Sequence, residues 1–245
     1  MGMRLTVATW NISCGISKDL ANQEDAIDYI ASCLAKNNVD VASFQEVPVY
    51  GSGRSFCEKV CDKTGLMHCK EFSLSKSHLL ENADMGLAVI SKFPVTNFEF
   101  FPLPDLGLTA IVDGVFRYSH QKGFFRCDIL APGPITLFAG HCPSFDYFSV
   151  DPLKYRDAVF KPLEDEIVEL SSAGRAVIMG DLNVEHLEVF MPKVFNHCKS
   201  LITGPTRSNG KMVDYILISD DIKAESAFVE KTVFDHYCCI ADIIV

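Results

Sequence analysis

The stretch Ala176-Val177-Ile178-Met179-Gly180-Asp181-Leu182-Asn183 constrains this chain most. Its consecutive apolar residues read as a short strand buried on both faces, as in the middle of an α/β sheet. The run stops at Gly180, which suits a backbone that turns sharply or approaches another group closely. Asp181 and Asn183 then stand at the carboxyl end of the strand, where open α/β sheets place their ligands. A carboxylate there can take or orient a proton, and an amide can donate to an oxyanion. The same residues also suit a plain Asx turn, so the rest of the chain has to decide between the two.

Other strands end in the same way. Leu5 to Trp10 reads as a first strand that stops at Asn11. Asn22 is a candidate N-cap for a helix over Gln23 to Lys36, with Ile27, Ile30 and Leu34 on one stripe. Val39 to Phe44 reads as a second strand ending in Gln45-Glu46, and a short helix follows from Ser55 to Thr64. Gly86 to Ser91 is a buried strand, with Val95 to Phe101 expected as its hairpin partner. Phe124 to Leu130 and Ile135 to Ala139 flank Pro132-Gly133-Pro134 as a hairpin that leads to His141. Phe160, Leu163, Ile167 and Leu170 mark a helix that Pro162 should kink and Gly174 should cap. Val213 to Ser219 and Ala227 to Val233 read as strands, and Asp235-His236 precedes a last strand from Tyr237 to Val245.

A chain of 245 residues without a linker, repeat or low-complexity tract is expected to form a single domain over residues 1–245. The net charge of −10 argues against a protein that holds nucleic acid by bulk charge. It leaves room for an enzyme whose metal supplies the local positive charge. The ten cysteines form no zinc pattern, and many lie in apolar runs where a free thiol behaves as a small hydrophobe. With no signal peptide and no membrane-length apolar run, an intracellular protein, cytoplasmic or nuclear, is expected.

Asn11, Glu46, His141, Asp181 with Asn183, Asp214, and Asp235-His236 thus all stand at strand ends. Polar groups are costly to bury without partners, so a recurrence on this scale points to a shared pocket. Carboxylates and amides suit a hard divalent cation such as Mg2+. Imidazoles and a further carboxylate suit proton transfer and anion stabilisation. Together they are the groups that hydrolysis of a phosphate ester requires.

The segments Thr9-Trp10-Asn11-Ile12, Phe44-Gln45-Glu46-Val47, Gly86 to Pro94, Gly140-His141, Gly180 to Val184, Val213 to Leu217 and Asp235-His236 resemble, in order, those of the endonuclease/exonuclease/phosphatase superfamily of DNase I-like phosphoesterases. The resemblance implies an α/β fold, a four-layer αββα sandwich of two packed mixed β-sheets flanked by helices. It implies an Mg2+- or Mn2+-dependent hydrolase. It also implies Glu46 as the principal metal ligand, helped by Asn11 and Asp235. By the same resemblance Asp181 orients or deprotonates the attacking water, Asn183 holds the phosphate, and Asp214 pairs with His236. His141 donates to a phosphate oxygen or to the leaving group.

Departures narrow the choice of substrate. Abasic-site endonucleases carry an acid soon after the first-strand Asn and a Gln-Glu-Thr segment, where this chain has Ser13 and Val47. The inositol-phosphatase pattern has Asn before the histidine, where this chain has Gly140. The first reading is a phosphodiesterase or nuclease acting on nucleic acid. A phospholipid or phosphoinositide phosphoesterase and a catalytically silent binding scaffold are the alternatives. Phe145, Tyr147 and Phe148 follow His141 and suit stacking on a base or contact with a lipid, or packing of their own loop. Asp84 and Arg156 are weaker candidates, more simply read as a loop acid and a surface ion-pair residue. Peripheral membrane contact is not indicated, and a monomer is expected.

Overall fold

The computed structural model describes residues 2–112 and 114–245. Met1 and Asp113, both within the domain expected over 1–245, lie outside the described residues. The first half holds strands β1 (Arg4–Asn11), β2 (Val41–Val49), β3 (His68–Lys76), β4 (Asp84–Ser91), β5 (Val95–Pro102), β6 (Thr109–Val112) and β7 (Val115–Tyr118). The second holds β8 (Gly123–Ile129), β9 (Ile135–His141), β10 (Ala176–Asp181), β11 (Cys198–Ser200), β12 (Asp214–Ser219), β13 (Lys223–Glu230) and β14 (Cys238–Ile244). Helices α1 (Gln23–Lys36), α2 (Phe56–Thr64) and α3 (Lys161–Ala173) complete the main elements.

Two six-stranded mixed sheets form, in the orders β13-β14-β1-β2-β4-β3 and β11-β12-β10-β9-β8-β5. The β1–β2 and β9–β10 pairs are parallel, with a helix in each connection. The sheets pack face to face: Leu5, Val7, Val41 and Leu87 of the first meet Phe125, Leu137, Val177 and Ile216 of the second in one buried cluster. The outer face of the first sheet is covered by α1 and α2, through Ile27, Ile30, Phe56 and Val60. The outer face of the second is covered by α3, through Leu163 and Ile167. This is the expected four-layer αββα sandwich. No helix among the described residues is long and apolar enough to cross a membrane, and all ten cysteines are free thiols.

The helix ends follow from local chemistry. Asn22 Oδ1 accepts from the backbone of Glu24 and Asp25, which holds the first turn of α1. Ser55 and Glu58 close a capping box on α2, and Gly65 ends it at φ +76°.

Several expectations are corrected. Val95 to Phe101 does not pair with the Gly86 strand. As β5 it crosses to the other sheet and lies antiparallel to β8, because β4 already has β2 and β3 on its two edges. The second strand does not end at Glu46 but runs on to Val49 through a bulge between Gln45 and Val47. Pro162 does not kink α3. It stands in its first turn, where a missing N–H costs nothing, and a wider π-helical turn over Arg156–Phe160 leads into it. The strand expected from Ala227 to Val233 is Lys223–Glu230. Residues around 109–118, where no element is read from the sequence, form the separate β6–β7 hairpin.

Candidate active site

Parallel pairing brings two strand ends to one level. In the β9–β10 ladder His141 is the partner of Asp181, and in the β10–β12 ladder Asp181 is the partner of Asp214. The ladder closes tightly here. A Cβ on Gly180 would stand 2.0 Å from the carbonyl oxygen of Gly140, so only glycine permits this approach. Asp181 is the hub of the cluster. Its Oδ2 accepts from Asn11 Nδ2 at 3.1 Å and lies 3.3 Å from His141 Nε2 and 3.6 Å from His236 Nε2. Burial alone would raise its pKa, but His236 and His141 outweigh that and hold the carboxyl ionised, well below the usual range. Its other oxygen accepts from the backbone of Asn183 at 3.0 Å. Asn183, at φ +52°, donates from Nδ2 to the carbonyl of Cys142.

Asp214 and His236 come together from β12 and from the turn before β14. His236 Nδ1 lies 2.9 Å from Asp214 Oδ2 and 3.1 Å from Oδ1. Thr206 Oγ1 accepts from the backbone of Val213 and Asp214 and fixes the strand start. Burial pushes the His236 pKa down, but Asp214 and Asp181 more than reverse this and raise it to about 10. The ring is therefore an imidazolium at neutral pH.

A cavity of about 360 Å³ opens over this edge. Asn11, Glu46, His141, Asp181, Asn183, Asp235 and His236 all reach its wall, whereas Asp214 stands behind His236. Glu46 owes its aim to the bulge in β2, where it takes φ +53°. Burial raises the Glu46 pKa, yet Lys122 and the two histidines prevail and lower it. Asp235 accepts from Arg207 Nη2 at 2.5 Å and from Ser13 Oγ at 3.1 Å.

The two carboxylates and one amide expected to hold a metal, Glu46, Asp235 and Asn11, offer hard oxygen donors along one wall of the cavity, and that donor chemistry fits Mg2+ or Mn2+. Glu46 makes no hydrogen bond or ion pair with another described residue, so its carboxylate is free to face a cation. Asp181, Asp214 and His236 have ligand atoms within 4.8 Å of one another. Asp214 is already occupied by His236, so that tighter cluster reads first as a hydrogen-bonded network.

The aromatic loop is corrected. Phe145 is 1% exposed and packs between Tyr155 and Phe160, so it cannot stack on a substrate. Phe148 is largely buried but touches the cavity, and only Tyr147 is well exposed there, at 41%. Asp84 pairs with Lys76 and Ser73, and Arg156 with Asp157 and Glu164, all outside the cavity.

One central residue lies outside the sequence-based set. Lys122 is 7% exposed, and its Nζ stands 3.0 Å from His141 Nδ1 and 3.2 Å from Nε2. Burial lowers its pKa, while Glu46 and Asp181 act in the opposite direction. An ionised carboxylate only accepts, so His141 Nε2, 3.3 Å from Asp181 Oδ2, carries the proton that faces it. Lys122 precedes β8, which is antiparallel to β9, so the beginning of one strand meets the end of the other. A polar residue just before a buried strand is the signal that marks it.

A family model for the Endonuclease/Exonuclease/phosphatase family matches residues 8–233. No curated protein matches the chain by sequence. The fold is similar to an endonuclease/exonuclease/phosphatase from Beutenbergia cavernae at TM-score 0.78 and 15% identity, over 99% of this chain and 72% of that one. It is similar to the human Nocturnin catalytic domain, solved with a bound sulfate anion, at TM-score 0.73 and 15% identity, over 99% and 96% of the two chains. It is also similar to a humanized D. rerio TDP2 at TM-score 0.68 and 14% identity, over 99% of each chain.

Proposed function

The chain belongs to the Endonuclease/Exonuclease/phosphatase family, and from that premise we propose that it is a divalent-metal-dependent phosphoesterase that hydrolyses a P–O bond in a nucleotide or at a single-stranded nucleic-acid end. The observation that carries this reading is the Asp181 hub, where one ionised carboxylate meets two imidazoles and an amide at the wall of the cavity. Asp181, held ionised, is a good acceptor for a water proton and orients the attacking lone pair towards phosphorus. His236, protonated and fixed by Asp214, donates to a phosphoryl oxygen as negative charge builds on it. His141 Nε2–H is a second donor on the same side, for a phosphoryl or leaving oxygen. Asn183 supports the bound phosphate. Glu46, Asn11 and Asp235 would hold the cation, which when bound supplies charge neutralisation and an acidified water.

The nucleic-acid expectation is kept in a narrower form. A duplex reader needs a broad basic surface, and a chain with net charge −10 is poorly suited to that. A walled cavity of about 360 Å³ falls in the range for small ligands. Tyr147 and Tyr118, both exposed beside it, offer aromatic faces for a base.

The test is turnover of bis(p-nitrophenyl) phosphate, nucleotides and short single strands with Mg2+ or Mn2+, with and without EDTA. Metal-dependent product release, with Glu46→Gln requiring more metal for half-activity, is the expected result. Full turnover in excess EDTA, or none on any phosphate ester, overturns the reading.

A further inference from the structure

His78 and His120 stack face to face at the cavity, with ring centroids 4.7 Å apart and planes within 17°. Neither belongs to the constellation around Asp181. His120 follows the β6–β7 hairpin, and its Nδ1 lies 3.2 Å from Ser75 Oγ near the end of β3, which leaves Nε2 for another partner. Arg117, on β7, lines the same cavity. Its Nε is buried and has no hydrogen-bond partner among the described residues. Buried donors are nearly always paired, so the guanidinium is not used up by partners among the described residues, and the side chain also lines the cavity.

The electrostatics agree. The described residues of β6 and β7 include Arg117 as their one charged side chain and no carboxylate, in a chain of net charge −10. Burial pushes both imidazoles down, His120 to about 4, where its stacked neighbour His78 adds to the effect. Each neutral ring keeps one N–H to donate, and the guanidinium presents a planar fork that suits phosphate oxygens. The wall therefore presents two imidazoles and a guanidinium, and the described residues of β6 and β7 carry no acidic side chain to satisfy them.

We propose that His78, Arg117 and His120 form a second anion-binding subsite in the cavity, which takes a second phosphate of a substrate whose scissile phosphate lies at Asp181 and His236. The inference rests on the phosphoesterase reading above and narrows it to a bisphosphorylated, nucleotide-type ester. Catalytic and subsite residues line a single cavity of about 360 Å³, so one small molecule reaches both groups. The hairpin has a function in this arrangement: it carries Arg117 and Tyr118 to the cavity and limits what enters.

The experiment is calorimetric titration of the metal-free 245-residue chain with adenosine 5′-monophosphate and with adenosine 3′,5′-bisphosphate. The wild type is expected to bind the bisphosphate about ten-fold tighter or more, the scale of one charged hydrogen bond. Arg117→Met and His120→Gln should each bring the two affinities to near equality, with circular dichroism confirming the fold. Equal affinities in the wild type, no binding of either nucleotide, or a preference that survives in both folded variants overturns the subsite. If Arg117→Met fails to fold, His120→Gln and His78→Asn decide. Turnover is read separately with Mg2+ or Mn2+. Intact preference with no turnover of any ester removes the phosphoesterase reading and leaves the subsite standing.

Discussion

Lys122 Nζ lies 3.0 Å from His141 Nδ1, which puts a buried lysine beside a buried imidazole where the start of β8 meets the end of β9. Burial works against a charge there and lowers the lysine's pKa. Glu46 and Asp181 make the arrangement tolerable, since both act to keep Lys122 protonated. The lysine thereby braces the His141 ring, and it adds positive charge where a phosphoryl group would sit.

Replacing Lys122 removes both effects. Lys122→Met keeps most of the side-chain volume but leaves Glu46 and Asp181 without their buried counter-ion. A fall in kcat of about 100-fold or more is expected, comparable to loss of one oxyanion-stabilising donor. Steady-state kinetics on bis(p-nitrophenyl) phosphate, with a thermal melt to confirm folding, measures it. A folded variant within a few-fold of wild type would show that the cation is structural.

Asp214 and His236 should act as one unit, because the carboxylate holds the ring at 2.9 Å and keeps it protonated. His236→Ala and Asp214→Asn are each expected to lower kcat by roughly 10²–10⁴-fold. The double variant should lose little more than the worse single one, since coupled residues are not additive. Losses that multiply would mean that the two side chains work independently.

The same pair has a signature in stability. The His236 pKa is about 10 in the folded chain against an ordinary 6.5, so the folded state binds the proton more tightly. Its contribution is fully present below pH of about 6.5 and is lost as pH rises through about 10. The gap in melting temperature between wild type and His236→Ala should therefore be widest near pH 6 and shrink towards pH 10. Thermal melts across that range check it, and a gap that widens with pH would contradict the protonated ring.

Much of this was legible in the sequence because polar residues at the ends of apolar runs are unusual. Asn11, His141, Asp181 and Asp214 announce themselves in that way, and the ladders bring them to one level. Lys122 escaped because it ends the polar run Ser119-His120-Gln121-Lys122, where it looks like one more loop residue, and only the antiparallel β8–β9 pairing brings it to the site. Glu46 was found, but its bulge was not, since an extra residue in a ladder leaves no trace in the hydrophobic pattern. The partner of β5 could not be read, because a strand that leaves one sheet for the other looks in sequence like a hairpin arm. Phe145 and Tyr147 are two residues apart with opposite fates, and only packing against Tyr155 and Phe160 separates them. The β6–β7 hairpin was missed because its short strands expose Ile111, Phe116 and Tyr118 and bury no continuous face.

Substrate size should show in the salt dependence of binding. A duplex reader contacts many phosphates and loses affinity steeply as salt rises. Here the basic side chains at the cavity are Arg117, Lys122 and Arg207, and the last already pairs with Asp235. With two or three phosphate contacts on a single strand, the slope of log K against log salt should be roughly −1.5 to −2. Tyr147, exposed at the cavity where Phe145 is not, supplies the second arm of the test. Tyr147→Ala should weaken binding of a short single strand by about 1–3 kcal/mol if the ring stacks on a base. It should leave binding of bis(p-nitrophenyl) phosphate nearly unchanged, because that ester brings no base. Fluorescence titrations of a labelled oligonucleotide at several salt concentrations measure both quantities. A slope several times steeper would reveal an extended basic track and a polymer substrate, and a silent Tyr147→Ala would leave the ring as loop packing.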